Sequence, residues 1–313
     1  MTATNISASP RPPAARKSPK PAAPREPGRD GALLRRLTDP LGALLVVVAL
    51  AALWEGYKAF GRAVDDRFLG LGLPVATDDL SMPHLWTIVG SLAAPARAGD
   101  STSLAVYLIG ETTVTLREAL YGLGAGSLLG LVLAVLFVHV APLNRGLMPW
   151  LVASQTVPLV AIAPMIVIWG GKAGLPPWAG VTGIAAYLAF FPVTVNSLRG
   201  LKSPPTVQLD FMRSVGAGQL RVLWSLRFPA ALPYVFAGLR LAATASVVGA
   251  IVGELSAGTG RGIGRAILTS AYYYSNGPEK LYAAVLVAAI AGILFVQVLA
   301  LLERFALRHR HAR

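Results

Sequence analysis

The sequence predicts an all-α polytopic membrane protein with six transmembrane helices, and two observations carry this prediction. Of the 313 residues, 54% are hydrophobic and only 14% are charged, whereas a soluble domain carries about a quarter charged residues. The charged residues are also clustered. The stretches between the clusters are apolar for about twenty residues, which is the length that crosses a hydrocarbon core of about 30 Å.

Composition and motifs exclude several kinds of chemistry. The chain has no cysteine, which rules out disulfides, cysteine-ligated zinc and thiol catalysis. Apart from His309 and His311, no histidine lies at metal-ligand spacing from another histidine or a carboxylate. The glycine-rich residues 258–264 lack the Gly-Lys-Ser/Thr of a phosphate loop, and no hydrolase or metalloprotease motif is present. We therefore expect a non-catalytic protein without metal or cofactor.

The N-terminal third contains one predicted span. Residues 1–36 are rich in Pro, Ala, Ser, Lys and Arg, a composition that favours a disordered, basic cytoplasmic tail. The next section, residues 37–110, holds the first transmembrane helix at residues 41–60 and an external segment of mixed charge. Within that segment, residues 85–92 are apolar but too short to cross a membrane.

Residues 111–305 predict a core of five further transmembrane helices. We place them at residues 116–140, 148–169, 178–195, 234–252 and 281–302. The first of these five contains Gly122, Gly124, Gly126 and Gly130, and such small residues let helices approach closely. The second contains three prolines and follows an expected turn at residues 141–147. A basic cytoplasmic tail, residues 306–313, closes the chain.

The distribution of basic residues tests this number of spans. Six spans put the basic N-terminal tail, Arg145, the segment at residues 196–233 and the basic C-terminus on one side. Loops rich in Lys and Arg lie in the cytoplasm, so we expect both termini to be cytoplasmic. The same rule explains the net charge of +13 without a nucleic-acid partner.

The longest polar segment of the second half, residues 196–233, has the pattern of two short helices. Ser203-Pro204-Pro205 predicts a helix start, with the serine as cap, and Gly216-Ala217-Gly218 predicts its end. Val207, Phe211, Met212 and Val215 share one face of that helix. A second amphipathic piece follows, and we expect Pro229 and Pro233 to break it and to begin the next span.

This segment resembles the cytoplasmic EAA loop of ABC-importer permeases. The loop's pattern is Glu-Ala-Ala, three residues, Gly, nine residues and Ile-x-Leu-Pro. Asp210-Phe211-Met212 takes the place of Glu-Ala-Ala, Gly216 follows at the right distance, and Leu226-Arg227-Phe228-Pro229 takes the place of Ile-x-Leu-Pro. The resemblance covers about residues 113–305. Its continuation through residues 229–240 is similar to the branch that imports nitrate, sulfonates, taurine and thiamine-pyrimidine precursors.

The resemblance implies a type I importer permease (MetI-like) and a coupling loop that docks on an ATPase. The implied coupling residues are Asp210, Phe211, Met212, Arg213, Ser214, Val215, Gly216, Ala217, Gly218, Leu226 and Pro229. The implied partners are two ATPase subunits, an extracytoplasmic solute-binding protein, a second copy of the chain and membrane lipid. The implied location is the bacterial plasma (inner) membrane, and the cargo is a small polar solute.

Four polar residues in or beside the spans are candidates for the pore or its gate: Gln155, Thr156, Arg240 and Glu254. Ionisable residues inside a membrane are expensive and mark functional positions. Two alternatives stay open, because Arg240 can extend to the inner surface and Glu254 can be a plain interfacial charge.

Two other functions compete with the importer permease. A stand-alone secondary transporter needs coupling-ion groups inside the bilayer and usually two homologous halves. The sequence shows few charged residues at mid-span and no internal repeat. A membrane-embedded enzyme needs a catalytic constellation, which the sequence lacks.

Overall fold

The computed structural model describes residues 29–68, 71–97, 99–257 and 260–308. By its internal contacts the chain forms two compact units, residues 1–56 and 57–313. The first unit holds the larger part of helix α1, Arg29–Ala63, which begins inside the range predicted as a tail. The rest of that predicted tail, residues 1–28, and the end of the C-terminal tail, residues 309–313, lie outside the described residues.

The described part of the second unit is mainly helical and contains one short hairpin. A two-stranded antiparallel pair, β1 (Arg67–Phe68) and β2 (Leu71–Gly72), follows α1. The helices that follow are α2 (Leu85–Ser91), α3 (Leu104–His139), α4 (Ala141–Ser154), α5 (Leu159–Lys172), α6 (Pro177–Leu201), α7 (Thr206–Ser214), α8 (Gln219–Val222), α9 (Phe228–Ala257), α10 (Ile263–Tyr272) and α11 (Pro278–Arg308). A π-helical segment, Leu223–Arg227, joins α8 to α9, and a 3₁₀ turn, Tyr274–Asn276, precedes α11.

The described chain contains five helical stretches that are long and apolar enough to cross a membrane. They are Leu44–Ala63, Leu104–His139, Pro177–Leu201, Gln219–Ser256 and Pro278–Phe305. Helices α4 and α5 pass the same test together but are bent by 99°, so the number is six if this pair counts as one span. The all-α polytopic fold class is therefore confirmed.

The third predicted span differs from the structure in two ways. Residues 141–147, predicted as a turn, are the start of α4, and the helix expected at residues 148–169 is interrupted between Ser154 and Leu159. Pro158 precedes α5 as its N-cap. Because proline has no N–H and disfavours the helical conformation at the residue before it, a break is favoured here. Pro149 and Pro164 are accommodated inside helices.

Helix α6 packs between α3 and α9, and glycines make this packing close. A Cβ on Gly126 would lie 2.5 Å from the carbonyl oxygen of Ala186, and one on Gly130 would lie 2.7 Å from that of Phe190. On the other side, a Cβ on Gly249 would lie 2.8 Å from Cα of Ala185. Gly124 has open space at this position, so three of the four predicted glycines serve the α3–α6 contact.

The prolines at the start of α9 do not break the helix, contrary to expectation. Helical structure is continuous from Gln219 to Ser256, and Pro229 and Pro233 lie within α9. The π-helical segment ends at Arg227, two residues before Pro229. Proline clashes with the carbonyl four residues earlier in an α-helix, and a wider π turn relieves that crowding.

The segment that was predicted to be external is attached to the beginning of α11 and the turn before it by side chains that donate to the backbone of the segment. The Tyr274 hydroxyl donates to the carbonyl of Leu80, and the Tyr282 hydroxyl donates to that of Ser81 at 2.8 Å. Lys280 donates to the carbonyl of Ala96 at 3.3 Å. Within this segment α2 has only seven residues, so the prediction that it is too short to span is confirmed.

Candidate functional site

The predicted loop between α6 and α9 begins with α7, but its cap differs from the expected one. Pro205 is the N-cap residue of α7 and makes no side-chain cap hydrogen bond. The Ser203 hydroxyl donates to the carbonyl of Gly200 at 2.7 Å, and this contact occupies it at the end of α6. The predicted serine cap is therefore wrong, whereas the predicted helix start beside the prolines is correct.

Gly216 ends α7 as predicted. Its φ is +67°, in the left-handed region, which glycine adopts at little cost. Its N–H donates to the carbonyl of Arg213 at 3.0 Å, and that of Ala217 donates to the carbonyl of Met212 at 3.0 Å. A Cβ on Gly216 would meet nothing within 4 Å, so backbone conformation, not space, favours glycine here. Gly218 then serves as the N-cap of α8.

An exposed apolar surface runs along this loop; we call it the loop face. Its members are large apolar residues with exposed fractions of 60–76%: Val207, Phe211, Val215, Leu220 and Trp224. The first three recur every four residues, so they lie on one side of α7. Met212, which was predicted on the same face, is only partly exposed. On α7 the exposed apolar surface therefore contains fewer residues than predicted. It continues onto α8 through Leu220.

The remaining coupling candidates shape the loop and its attachment. Asp210 and Arg213 form an exposed ion pair at 2.9 Å, a type of contact that contributes little to stability. The Ser214 hydroxyl donates to the carbonyl of Phe211 at 2.8 Å. Arg227 donates to the carbonyl of Leu201 at 3.2 Å and so ties the loop to the end of α6. Ala217, Leu226 and Pro229 are partly buried.

Two of the four pore candidates lie at the break between α4 and α5. The amide of Gln155 donates to Oγ of Ser154 at 3.4 Å. The hydroxyl of Thr156 donates to the carbonyl of Ala153 at 2.7 Å. The Tyr187 hydroxyl from α6 donates to the carbonyl of Ser154. The contacts of Thr156 and Tyr187 satisfy backbone carbonyls at a bend, which a chain at membrane depth requires.

The other two candidates have partners that sequence reasoning missed. Arg240 pairs with Glu303 on α11. Glu254 is fully buried and accepts a hydrogen bond from the backbone N–H of Gly264 at 2.7 Å. Beside it on α3 lie Glu111 and Glu118, both buried. The signal for this pair was present: two glutamates seven residues apart share one face of an apolar helix.

Metal ligation has no support in the described part of the chain, which holds no group of three or more His, Cys, Asp or Glu able to bind an ion. One ionisable cluster lies at the end of the first candidate span, Leu44–Ala63. Lys58 is buried and donates to Asp79 at 2.6 Å and to the carbonyl of Met82. This ammonium lowers the pKa of the Asp79 carboxyl.

Comparison with known families gives one match, and it covers more than half of the chain. Residues 126–308 match the family described as the binding-protein-dependent transport system inner membrane component. The matched range begins within α3 and includes the loop face, α9, α10 and α11.

Several curated relatives are similar to this chain. A probable ABC transporter permease of Haemophilus influenzae is 38% identical over 49% of this chain, and the match spans 61% of that relative's length. A formylaminopyrimidine transport permease of Halalkalibacterium halodurans is 34% identical over 63% of this chain and 76% of its own. A taurine transport permease of Escherichia coli is 30% identical over 70% and 72%, respectively.

The fold also resembles a solved structure. A crystal structure of an amino acid ABC transporter with histidines matches with a TM-score of 0.51 and 17% identity. The match covers 64% of this chain and 94% of that one. At this identity the likeness concerns the fold alone, and it agrees with an all-α membrane permease architecture.

Proposed function

Because the chain belongs to the family of binding-protein-dependent transport system inner membrane components, we propose that it forms the translocation path of an ATP-driven importer. Its relatives are permeases of the sulfonate, taurine and thiamine-precursor branch. Such permeases are non-catalytic subunits, and ATP is hydrolysed by a separate subunit. The cargo of this chain is a small polar solute of the kinds that its relatives carry, delivered by a solute-binding protein.

The loop face is the observation that carries the proposal. It presents five large apolar side chains at 60% exposure or more, in the loop that joins α6 to α9. Apolar surface left in water forgoes about 25 cal/mol per Å², so a partner that covers this face gains binding energy. The partner is an ATPase subunit, whose cleft receives α7 and the Gly216 turn.

The attachment of the loop supports a mechanical role. Helical structure continues without interruption from Gln219 to Ser256, so a displacement of the loop moves α9 as one body. Arg227 links the same region to the last residue of α6 by its hydrogen bond to Leu201. Helices α6 and α9 are packed along their length through Gly249 and Ala185. Closure of an ATPase around the loop therefore tilts two core helices together.

Two copies of the chain form one path. The sequence has no internal repeat, and soluble and membrane oligomers of identical chains are usually closed by a two-fold axis. A homodimer binds one ATPase per loop face, which gives two ATPase subunits for each transporter. The basic loop and the termini face the cytoplasm, the compartment that supplies ATP.

Co-purification with the candidate ATPase tests this function. We expect the wild-type chain to retain the ATPase, and Phe211→Ser and Gly216→Trp to lose most of it while still inserting in the membrane. Phe211 is 65% exposed and Gly216 has open space around its Cβ position, so neither change disturbs packing within the chain. Gln208→Ser, an exposed polar position of the same helix, is the matched control and keeps the ATPase.

Two results would overturn the proposal. One is a wild-type chain that binds no ATPase and transports solute alone in proteoliposomes, which indicates a secondary transporter. The other is ATPase binding that ignores both variants, which removes the loop face from the interface.

A further inference from the structure

Three glutamates from two helices meet at the start of α10. Glu111 and Glu118 come from α3 and Glu254 comes from α9, and their exposed fractions are 8%, 3% and 0%. Both helices belong to stretches that are apolar enough to span a membrane. Buried ionisable groups in such helices are expensive and need partners, so each carboxyl must be accounted for.

Side chains of the two long helices bind the first N–H groups of α10. The N–H of Gly262 donates to Glu111, that of Ile263 donates to Oγ1 of Thr115 at 2.8 Å, and that of Gly264 donates to Glu254 at 2.7 Å. These groups have no partner inside their own helix. Gly262 has a φ of +106°, and a Cβ there would overlap the Glu254 carboxyl. The start of α10 is therefore built around these acceptors.

The three carboxyl groups differ in their charge partners. Glu111 lies 3.6 Å from the guanidinium of Arg261 and accepts the Gly262 N–H, which suits an ionised carboxylate. Glu118 and Glu254 lie within hydrogen-bonding reach of each other. Oε2 of Glu118 and Oε1 of Glu254 are both buried and receive no hydrogen bond from any described residue. Each of these two oxygens is therefore a buried acceptor without a donor.

Two ionised carboxylates cannot remain in contact at low dielectric, because like charges at this range disfavour the second ionisation. The charge of Arg117, its neighbour on α3, acts on Glu118. The guanidinium of Arg261 lies against Glu111. One proton between the two oxygens changes the contact from repulsion to a charge-assisted hydrogen bond, the strong type. The remaining Glu254 oxygen continues to accept from Gly264.

We propose that Glu118 and Glu254 bind one proton between them. The hydrogen bond made by this proton holds α3 to α9 next to the start of α10. The site is far from the loop face. Glu254 lies 26 residues beyond Phe228 on the same helix, which is about 39 Å at about 1.5 Å per residue. Loss of the proton separates α3 from α9 at that end and releases the start of α10. The proposal does not depend on ATPase docking.

Infrared spectroscopy of the purified chain in lipid nanodiscs tests for the proton directly. We expect the wild-type protein at neutral pH to show the carbonyl band of a protonated carboxylic acid, shifted in deuterium oxide. Glu118→Gln and Glu254→Gln each remove that band. Glu111→Gln is the matched control and keeps the band, since Glu111 lies about two helical turns from Glu118 on α3 and has its own cation, Arg261. A wild-type protein without the band overturns the proposal, as does a band that persists in both Gln variants.

Thermal unfolding separates the proton from simple packing. A glutamine at position 118 or 254 supplies an N–H where the pair holds its proton, so these variants melt near the wild-type temperature. Glu118→Ala removes both the bulk and the donor and melts lower. If Glu118→Gln melts as low as Glu118→Ala, a shared proton is not what joins the two helices and the proposal fails.

Discussion

Arg240 of α9 is paired with Glu303 of α11, a residue 63 positions later in the chain. The arginine side chain is 52% exposed and the glutamate only 16%. This asymmetry matters, because removal of the arginine leaves a largely covered carboxylate without its cation. The sequence left open two interpretations of Arg240, an extension to the inner surface and a contact with the transported solute. The pair with Glu303 adds a third, an attachment between helices.

Arg240→Gln should lower stability through the loss of this pair. An exposed ion pair contributes about 0–1 kcal/mol and a buried one considerably more when a single partner is removed, so we expect a loss of about 1–2 kcal/mol. Thermal unfolding in detergent measures it, and Arg199→Gln, an exposed arginine in the last turn of α6, is the control. The exchange Arg240→Glu with Glu303→Arg should recover part of the loss. A variant with unchanged stability and lost transport would instead assign Arg240 to the solute path.

Close packing of α3 on α6 predicts which glycines tolerate a side chain. At Gly130 a Cβ would lie 2.7 Å from a backbone oxygen and 2.9 Å from Cβ of Val193, so Gly130→Val overpacks the contact and costs about 1–3 kcal/mol. Gly124→Val, on the same helix with nothing within 4 Å, should leave the melting temperature nearly unchanged. Equal effects at both positions would contradict the α3–α6 packing described here.

The family, the fold class and the loop could be predicted because their signals are local. Glycine at position 216 is favoured by its own left-handed conformation, and a span is an apolar stretch of sufficient length. The break between α4 and α5 could not be placed in advance, since prolines at positions 149 and 164 sit inside helices whereas Pro158 ends one. The surrounding structure, and not the proline alone, decides whether the helix continues or ends at a proline.

The partners of the buried charges could not be predicted because they depend on long-range contacts. Glu111 binds the N–H of Gly262, 151 residues away, and α10 lies between the helices of Arg240 and Glu303 in the sequence. The sequence marks each acidic residue as costly in a membrane. It does not state which helix will supply the compensating donor, since that follows from packing at glycine contacts such as Gly126 with Ala186.

The turn at Gly216 predicts a graded effect of substitution on ATPase binding. An L-residue at a φ of +67° costs about 1 kcal/mol, which corresponds to about a five-fold change in an equilibrium constant. Gly216→Ala should therefore weaken binding of the ATPase about five-fold in a pull-down titration. Gly218→Ala, at a φ of −64° with open space, is the control and should bind as the wild type does. Equal binding by both variants would show that the left-handed turn is not needed for docking.

The external cluster around Asp79 predicts a pH dependence with a definite sign. Its pKa is lowered, first by the hydrogen bond from Lys58 and then by the charges of Lys58 and Arg62. A carboxyl whose folded pKa lies below its unfolded value stabilises the folded state above the unfolded value, and this contribution disappears as the pH falls through the folded pKa. The protection of the amides in residues 71–97, measured as their exchange rate relative to the intrinsic rate at the same pH, should therefore be constant near neutral pH. It should fall only below about pH 4, the usual range of aspartate.

Asp79→Asn is the variant that checks the cause of this pH dependence. It removes the carboxylate that faces the fully buried ammonium of Lys58, which then keeps the carbonyl of Met82 as its acceptor. A buried charge that loses its counter-ion is strongly destabilising. The amides of residues 71–97 should therefore be less protected from exchange in this variant at neutral pH, and their protection should no longer change on acidification. Asp100→Asn, an exposed aspartate of the same segment, should keep the wild-type profile. If Asp79→Asn retains the acid-induced loss of amide protection, another carboxyl group is responsible. The Lys58–Asp79 pair is then not what holds the segment in place.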